Sequence, residues 1–312
     1  MRRLLIDTDT GSDDVWAIIA ALRAVADIHV EAITVVCGNV ALDRCVENAL
    51  IAVEVAGTYA PPVYRGMARP LLKEKLFTSE FVHGSDGLSE MNLPPPEIQA
   101  RKEHAMDAII ALVMENPGQI EIVTLGPLTN LAMAYLKEPK IAENIKKVFI
   151  MGGAGADQGN ATPAAEFNVY VDAEAADIVL KSGMEMLWVT WDTCRGETSI
   201  TREDLAVLTG MGSSIADFCV RCTASLRAYE YKKYNNTFYG VIDSVIMIAL
   251  LHPEIMQNVY AAYCTIELRG ELTYGHFSID KQGQLHQPSN ATICSSVDAA
   301  AYKRYLFQLL SE

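Results

Sequence analysis

The chain is short of positive charge. Its 312 residues carry 25 lysines and arginines against 39 aspartates and glutamates, a formal net charge of −14. That deficit argues against a nucleic-acid partner, which needs a basic face, and suits a protein that gathers cations locally. Long apolar runs are also missing. None approaches the ~20 residues that span a bilayer, so no membrane partner is expected. The N-terminal stretch turns acidic at Asp7, too soon for the apolar region of a secretory leader. Cysteines number only seven, an odd count scattered along the chain. This disfavours a disulfide framework and points to a reducing, cytoplasmic setting. Repeats, low-complexity tracts and linkers are absent, so residues 1–312 read as one domain.

What is present is core material. Half of the residues are apolar and 21% are charged, ordinary globular usage. Short apolar runs alternate with amphipathic stretches. Strands are expected at Arg3–Ile6, His29–Val36, Ile120–Thr124, Lys147–Met151 and Met186–Val189. Helices are expected at Asp13–Val25, Leu42–Ala56, His104–Glu115, Leu128–Leu136 and Ala173–Ser182. This alternation predicts an α/β fold, an open and mostly parallel Rossmann-like sheet with helices on both faces. Tyr260–Ser296 predicts some antiparallel strands near the C-terminus, followed by a helix from Asp298. Two stretches break the rhythm. Arg69–Ile98 is long and irregular, as functional lids often are. Tyr229–Tyr239, rich in Tyr and Asn, is expected to follow a helix.

The densest chemistry lies in Asp7-Thr8-Asp9-Thr10-Gly11-Ser12-Asp13-Asp14, four carboxylates within eight residues directly after the first strand. Open parallel sheets bind ligands beyond the carboxyl ends of their strands. Like charges packed this closely repel unless a cation neutralises them, and a hard divalent ion with oxygen ligands, Ca²⁺ or Mg²⁺, suits the donor set. The bland reading is that Asp13 and Asp14 favour a helix N-terminus and that Asp7 holds the turn.

Four further segments follow strands or precede helices. Leu125-Gly126-Pro127-Leu128-Thr129-Asn130 makes a tight turn that exposes strand carbonyls, which are good Ca²⁺ ligands. Met151-Gly152-Gly153-Ala154-Gly155 has the look of a dinucleotide fingerprint, but Gln158 stands where the third glycine belongs. Asn160, Glu166 and Asn168 offer donors and acceptors suited to sugar hydroxyls. Asp243 precedes the apolar run Val245–Leu251, a position where Asp usually caps.

Taken in order, these segments resemble the nucleoside hydrolases of the inosine-uridine-preferring type. Asp7–Asp14 is similar to the family's Asp-Thr-Asp-Pro-Gly-x-Asp-Asp signature. Cys37-Gly38-Asn39, His83-Gly84-Ser85-Asp86-Gly87-Leu88, the Thr124 segment, Met151-Gly152-Gly153 and Glu166-Phe167-Asn168-Val169 follow in family order. The resemblance runs from residue 4 to about residue 252. It implies a single catalytic domain that hydrolyses the N-glycosidic bond of ribonucleosides, purine or pyrimidine, to free base and ribose. It implies one Ca²⁺ held by Asp9, Asp14, the Thr124 carbonyl and Asp243, with Asp9 also the general base toward water. Asp13, Asn39, Asn160, Glu166 and Asn168 would hold the ribose, with Met151 beneath the sugar. Relatives assemble as homodimers or homotetramers, and the same is expected here.

One departure concerns the leaving base. Many family members carry His immediately before the late Asp, where it is proposed to protonate the base. Here that residue is Ile242, which has no proton to give. His83 is the remaining histidine at a family-matching position, and it or a tyrosine of the Tyr229–Tyr239 stretch is expected to activate the base. Arg227 lies close by in sequence. His29, in an apolar strand, is expected in the core, and so are Trp188 and Trp191.

Two rival readings bear stating. Asp7-x-Asp9 after a strand resembles the haloacid-dehalogenase-type phosphatases, but those expect a late Gly-Asp dipeptide, and none occurs in the chain. Ile242 motivates a ribonucleoside-binding protein with weakened catalysis, against which stands the presence of every metal and ribose position.

Overall fold

The first strand, β1 (Arg2–Thr8), is buried from Leu4 onward, as an apolar run between two helical layers must be. The computed structural model describes residues 1–311. In it β1 joins β2 (Ile28–Val35), β3 (Val63–Arg65), β4 (Ile120–Thr124), β5 (Lys147–Met151), β6 (Met186–Val189), β7 (Met256–Ile266), β8 (Phe277–Asp280) and β9 (Ala291–Val297). They form one nine-stranded sheet in the order β3-β2-β1-β4-β5-β6-β9-β7-β8. β1 to β6 pair in parallel. The C-terminal end is mixed: β7 is antiparallel to β8 and β9, whereas β9 lies parallel to β6. The expected antiparallel strands are present, but the strand that attaches them to the sheet keeps the parallel sense.

The order places β1 between β2 and β4. The chain builds outward from β1 to β3, then returns to the other side of β1 with β4. This is the topological switch point, beyond which open α/β sheets leave a crevice. The acid segment leaves β1 there and the Gly126-Pro127 turn leaves β4 there, with Asp7 in register beside Thr124.

Two apolar layers cover the sheet. One contains residues of the helices Ser12–Arg23, Leu42–Ala56, Ile242–Leu251 and Ala299–Leu310. The other contains residues of Ala105–Glu115, Thr129–Lys137 and Ala173–Leu180. Helix Ile242–Leu251 is buried along its whole length and packs on Ser12–Arg23. Asp243 and Asp13 both lie in the first turn of these packed helices.

Several expectations need correcting. His29 is exposed and stacks on Tyr59, ring centroids 4.7 Å apart, because near its start β2 alternates between core and solvent. Tyr229, Tyr231 and Tyr234 do not follow a helix but belong to one, Ala224–Tyr234, which ends at Asn235 with φ +48°. The irregular stretch after Arg69 contains one short helix, Glu80–His83. All seven cysteines are buried and unpaired. No helix among the described residues is long and apolar enough to cross a membrane.

Candidate active site

The acid segment builds a floor at the switch point. Asp14 is fully buried and caps its own helix: the Gly11 amide donates to Oδ2 at 2.8 Å, and the Thr8 hydroxyl donates to Oδ1 at 2.6 Å. Asn39 Nδ2 donates to the same Oδ2 at 3.0 Å, and the Ser79 hydroxyl donates to Asn39 Oδ1 at 2.6 Å. Asp9 accepts the Asn39 amide on Oδ2 at 2.8 Å. Gly38 and Gly126 flank it. A Cβ on Gly126 would come within 2.6 Å of Asp9 Oδ1, and one on Gly38 would fall on the same carboxylate. Both glycines are thus needed for backbone to approach this side chain.

The floor is short of donors. Oδ1 of Asp9 and Oδ1 of Asp13 are buried with no hydrogen-bond partner among the described residues. Ligand oxygens of Asp13, Asp14 and Asp243 lie within 4.8 Å of one another. Burial and mutual repulsion push these carboxyls up. Asp13 and Asp14 reach about 6, with burial the leading cause in each. Asp9 and Asp243 rise well above the carboxylate range, through burial first and then the charge of Asp14. An oxygen-only group with unpaired, mutually repelling carboxylates fits a hard divalent cation, which removes both costs. Of the four expected ligands, Asp14 and Asp243 come together with Asp13. Asp9 lies outside that tight group but close enough for its charge to act on Asp243. Thr124 ends β4, fully buried and in register with Asp7.

Above the floor opens a cleft. Asp13 and Asp243 line it, with Asn39, Met151, Asn160, Glu166 and Asn168. Met151 ends β5. Glu166 caps the helix Phe167–Val171, accepting from the amides of Asn168 at 2.8 Å and Val169 at 3.2 Å, and from Gly153 at 2.9 Å. Asn168 Nδ2 donates to the Leu125 carbonyl at 2.7 Å, which ties the turn after β4 to this helix. Asn160 Oδ1 accepts the Phe167 amide at 2.7 Å. Each expected ribose residue therefore lines one cleft; backbone groups hold Asn160, Glu166 and Asn168, whereas Asp14 and Ser79 hold Asn39.

His83 also lines the cleft. Its Nδ1 lies 2.8 Å from the Ser12 hydroxyl and 3.8 Å from Asp13. Burial lowers its pKa to about 4. At neutral pH it is a neutral imidazole whose Nδ1 faces Ser12, which leaves Nε2–H as the hydrogen-bond donor of the ring.

The rest of the lining is an aromatic wall drawn from four separate parts of the chain. Phe77 and Phe81 arrive from the irregular stretch, Phe167 from the start of helix Phe167–Val171, Trp191 from the turn after β6, and Tyr229 and Tyr234 from helix Ala224–Tyr234. Phe81 is 62% exposed and meets Tyr229 edge-on, 5.5 Å between centroids. Arg195 lies over Tyr234 at 4.3 Å and over Trp191 at 5.1 Å. Ile242 and Glu230 complete this side. Trp188 is a core residue, fully buried. Trp191 is buried as well but faces the cleft, and nothing in its local sequence separates the two.

An acid-lined cleft with several polar side chains, at the switch point of a mostly parallel sheet, is where α/β enzymes bind small ligands. The profile of the family described as inosine-uridine preferring nucleoside hydrolase matches residues 4–304. A probable uridine nucleosidase 1 of Oryza sativa subsp. japonica is 35% identical, over 89% of this chain and 85% of its own. The solved structure of a plant nucleoside hydrolase superposes with a TM-score of 0.92 at 31% identity, covering 99% of both chains. That of a purine-preferring ribonucleoside hydrolase from Gardnerella vaginalis does so with a TM-score of 0.91 at 26% identity, covering 99% of this chain and 98% of that one. The chain belongs to the inosine-uridine-preferring nucleoside hydrolase family. Its activity is hydrolysis of the N-glycosyl bond of ribonucleosides.

Proposed function

We propose that the protein is a Ca²⁺-dependent ribonucleoside hydrolase acting on both purine and pyrimidine ribonucleosides, in nucleoside salvage. The observation that carries the metal is the convergence of Asp13, Asp14 and Asp243 oxygens within 4.8 Å beneath the cleft. Asp9, Asp14, the Thr124 carbonyl and Asp243 would hold the ion. When bound, the cation supplies positive charge that orients water and makes it more acidic. It also offsets the repulsion that otherwise protonates the floor.

The side chains then divide the work. Asp9, kept ionised beside a cation, accepts a proton from the attacking water. Asp13, the acid of the Asp7–Asp14 segment that lines the cleft, binds ribose together with Asn39, Asn160, Glu166 and Asn168. Holding the hydroxyls fixes the anomeric carbon over Met151 and favours the flattened ring of an oxocarbenium-like transition state. His83, with Nδ1 taken by Ser12, keeps Nε2 for a hydrogen bond to substrate. The aromatic wall supports a broad base range, because purine and pyrimidine rings both present a face for stacking.

Free ribose released from a panel of purine and pyrimidine nucleosides, with chelator and with Ca²⁺ restored, tests this reading. Release from both base classes that chelator stops and Ca²⁺ restores is expected. Full activity in chelator removes the metal, and activity on one base class alone narrows the substrate range.

A further inference from the structure

Ile242 leaves the base without a proton donor at its usual place, and an adjoining helix offers one. Glu230, on helix Ala224–Tyr234, is an acid of the aromatic wall of the cleft, among Tyr229, Lys233, Tyr234 and Ile242. It is 4% exposed, a depth at which a carboxylate is costly unless paired. The Gly240 amide donates to its Oε2 at 3.1 Å. That bond ties the helix to Gly240, two residues before Ile242, and both Glu230 and Ile242 line the cleft.

Resting on the ribonucleoside-hydrolase reading above, we propose that Glu230 is the general acid that protonates the departing nucleobase. As the C1′–N bond breaks, its electron pair stays with the base. The Glu230 carboxyl proton passes to a ring nitrogen or carbonyl oxygen of that base and leaves Glu230 as a carboxylate. Water adds to C1′ and gives its proton to Asp9. Exchange with solvent returns that proton to Glu230, so the balance is nucleoside plus water to ribose plus base.

The environment suits the task. Burial pushes the Glu230 carboxyl up to about 7. Asp13 across the cleft adds to the rise, while Arg195 from the turn after β6 and Lys233 on its own helix oppose it. An acid whose pKa lies near the working pH is both present in its protonated form and willing to release the proton. His83, committed to Ser12 through Nδ1, has no such proton. With the Glu230 pKa raised, the acid form is populated below about 7 and lost as pH rises through it. Turnover of natural nucleosides therefore declines on the alkaline side of neutrality.

The test is Glu230→Gln, assayed on inosine, uridine and p-nitrophenyl riboside, whose leaving group needs no proton. Gln can still accept the Gly240 amide. Turnover on the nucleosides should fall by about 10²–10⁴-fold, the usual worth of general acid help, with a much smaller loss on p-nitrophenyl riboside. The alkaline limb near 7 should flatten in the variant. Undiminished nucleoside turnover overturns the proposal, and so do equal losses on both substrate types in a variant that melts like wild type. Should the variant not fold, the wild-type profiles decide. An alkaline limb near 7 with nucleosides and none with p-nitrophenyl riboside supports Glu230, and identical profiles refute it. Wild-type protein that releases ribose while Glu230→Gln is unaffected leaves the hydrolase reading intact and removes only the acid.

Discussion

The floor and the aromatic wall of the cleft are built on opposite principles. The floor comes from strand ends and the helix turns that follow them, is almost fully buried, and is held by backbone amides and by Asn39. The wall comes from the irregular stretch, the turn after β6 and two helices, and part of it, Phe81, stands in solvent. Rigid strand ends can hold charges at fixed separations, which a cation and a sugar demand. A wall of rings from separate segments can change with little cost to the sheet. On the proposed reading, reaction type is set by the floor and base choice by the wall.

The strongest way to break that division is Asp9→Asn. It removes a base and a negative charge, and turnover should fall by at least about 10²–10⁴-fold. The loss should be equal for purine and pyrimidine nucleosides, measured as ribose release. A loss that depends on the base would place Asp9 in the wall's business as well.

Ca²⁺ binding sharpens the comparison from the side of stability. An ion that binds only the folded protein adds about 2.7 kcal/mol at a hundred times its Kd. Thermal melting with and without Ca²⁺ reads this directly, and Asp243→Asn should lose most of the gain. An unchanged melting temperature in saturating Ca²⁺ would mean the floor holds no ion.

Gly126→Ala probes how tightly the floor is set. Its new Cβ would lie 2.6 Å from Asp9 Oδ1, so the carboxylate must shift. Changes just outside the ligand shell of metal sites cost about 10–100-fold in affinity, and calorimetric titration with Ca²⁺ should find a loss of this order. Unaltered affinity would show that Asp9 can move without consequence for the ion.

The smallest effect belongs to the wall. Tyr229→Ala removes a ring that packs 5.5 Å from Phe81, and aromatic pairs are worth about 0.5–1.5 kcal/mol. The kcat/KM ratio between inosine and uridine should shift by up to about tenfold, with Ca²⁺ affinity unchanged. A change in Ca²⁺ affinity, with no change in base ratio, would invert the comparison.

How much was legible follows the same line. β4, β5, β6 and the helix Leu42–Ala56 have the bounds their apolar runs predict. The acid segment was readable because its carboxylates are contiguous in the chain and the strand before them is unmistakable. His29 was misplaced because an apolar run does not reveal which of its residues alternates outward. Trp191 reads as core and Glu230 as nothing in particular, because each is a lone residue in an ordinary local setting. His83 was legible as a site residue, but the burial that keeps it neutral was not.

By itself, the sequence determined the parallel α/β architecture, the switch-point acids and the family, since periodicity and contiguous motifs are local properties. The tertiary structure alone decided that Asp13, rather than Asp9, joins Asp14 and Asp243 in the tight oxygen group. It alone brought Glu230 and Ile242 to one cleft and set Trp191 there. The reason is physical: distances across packed helices, and the desolvation that shifts a carboxyl or an imidazole, depend on what the rest of the chain lays over them.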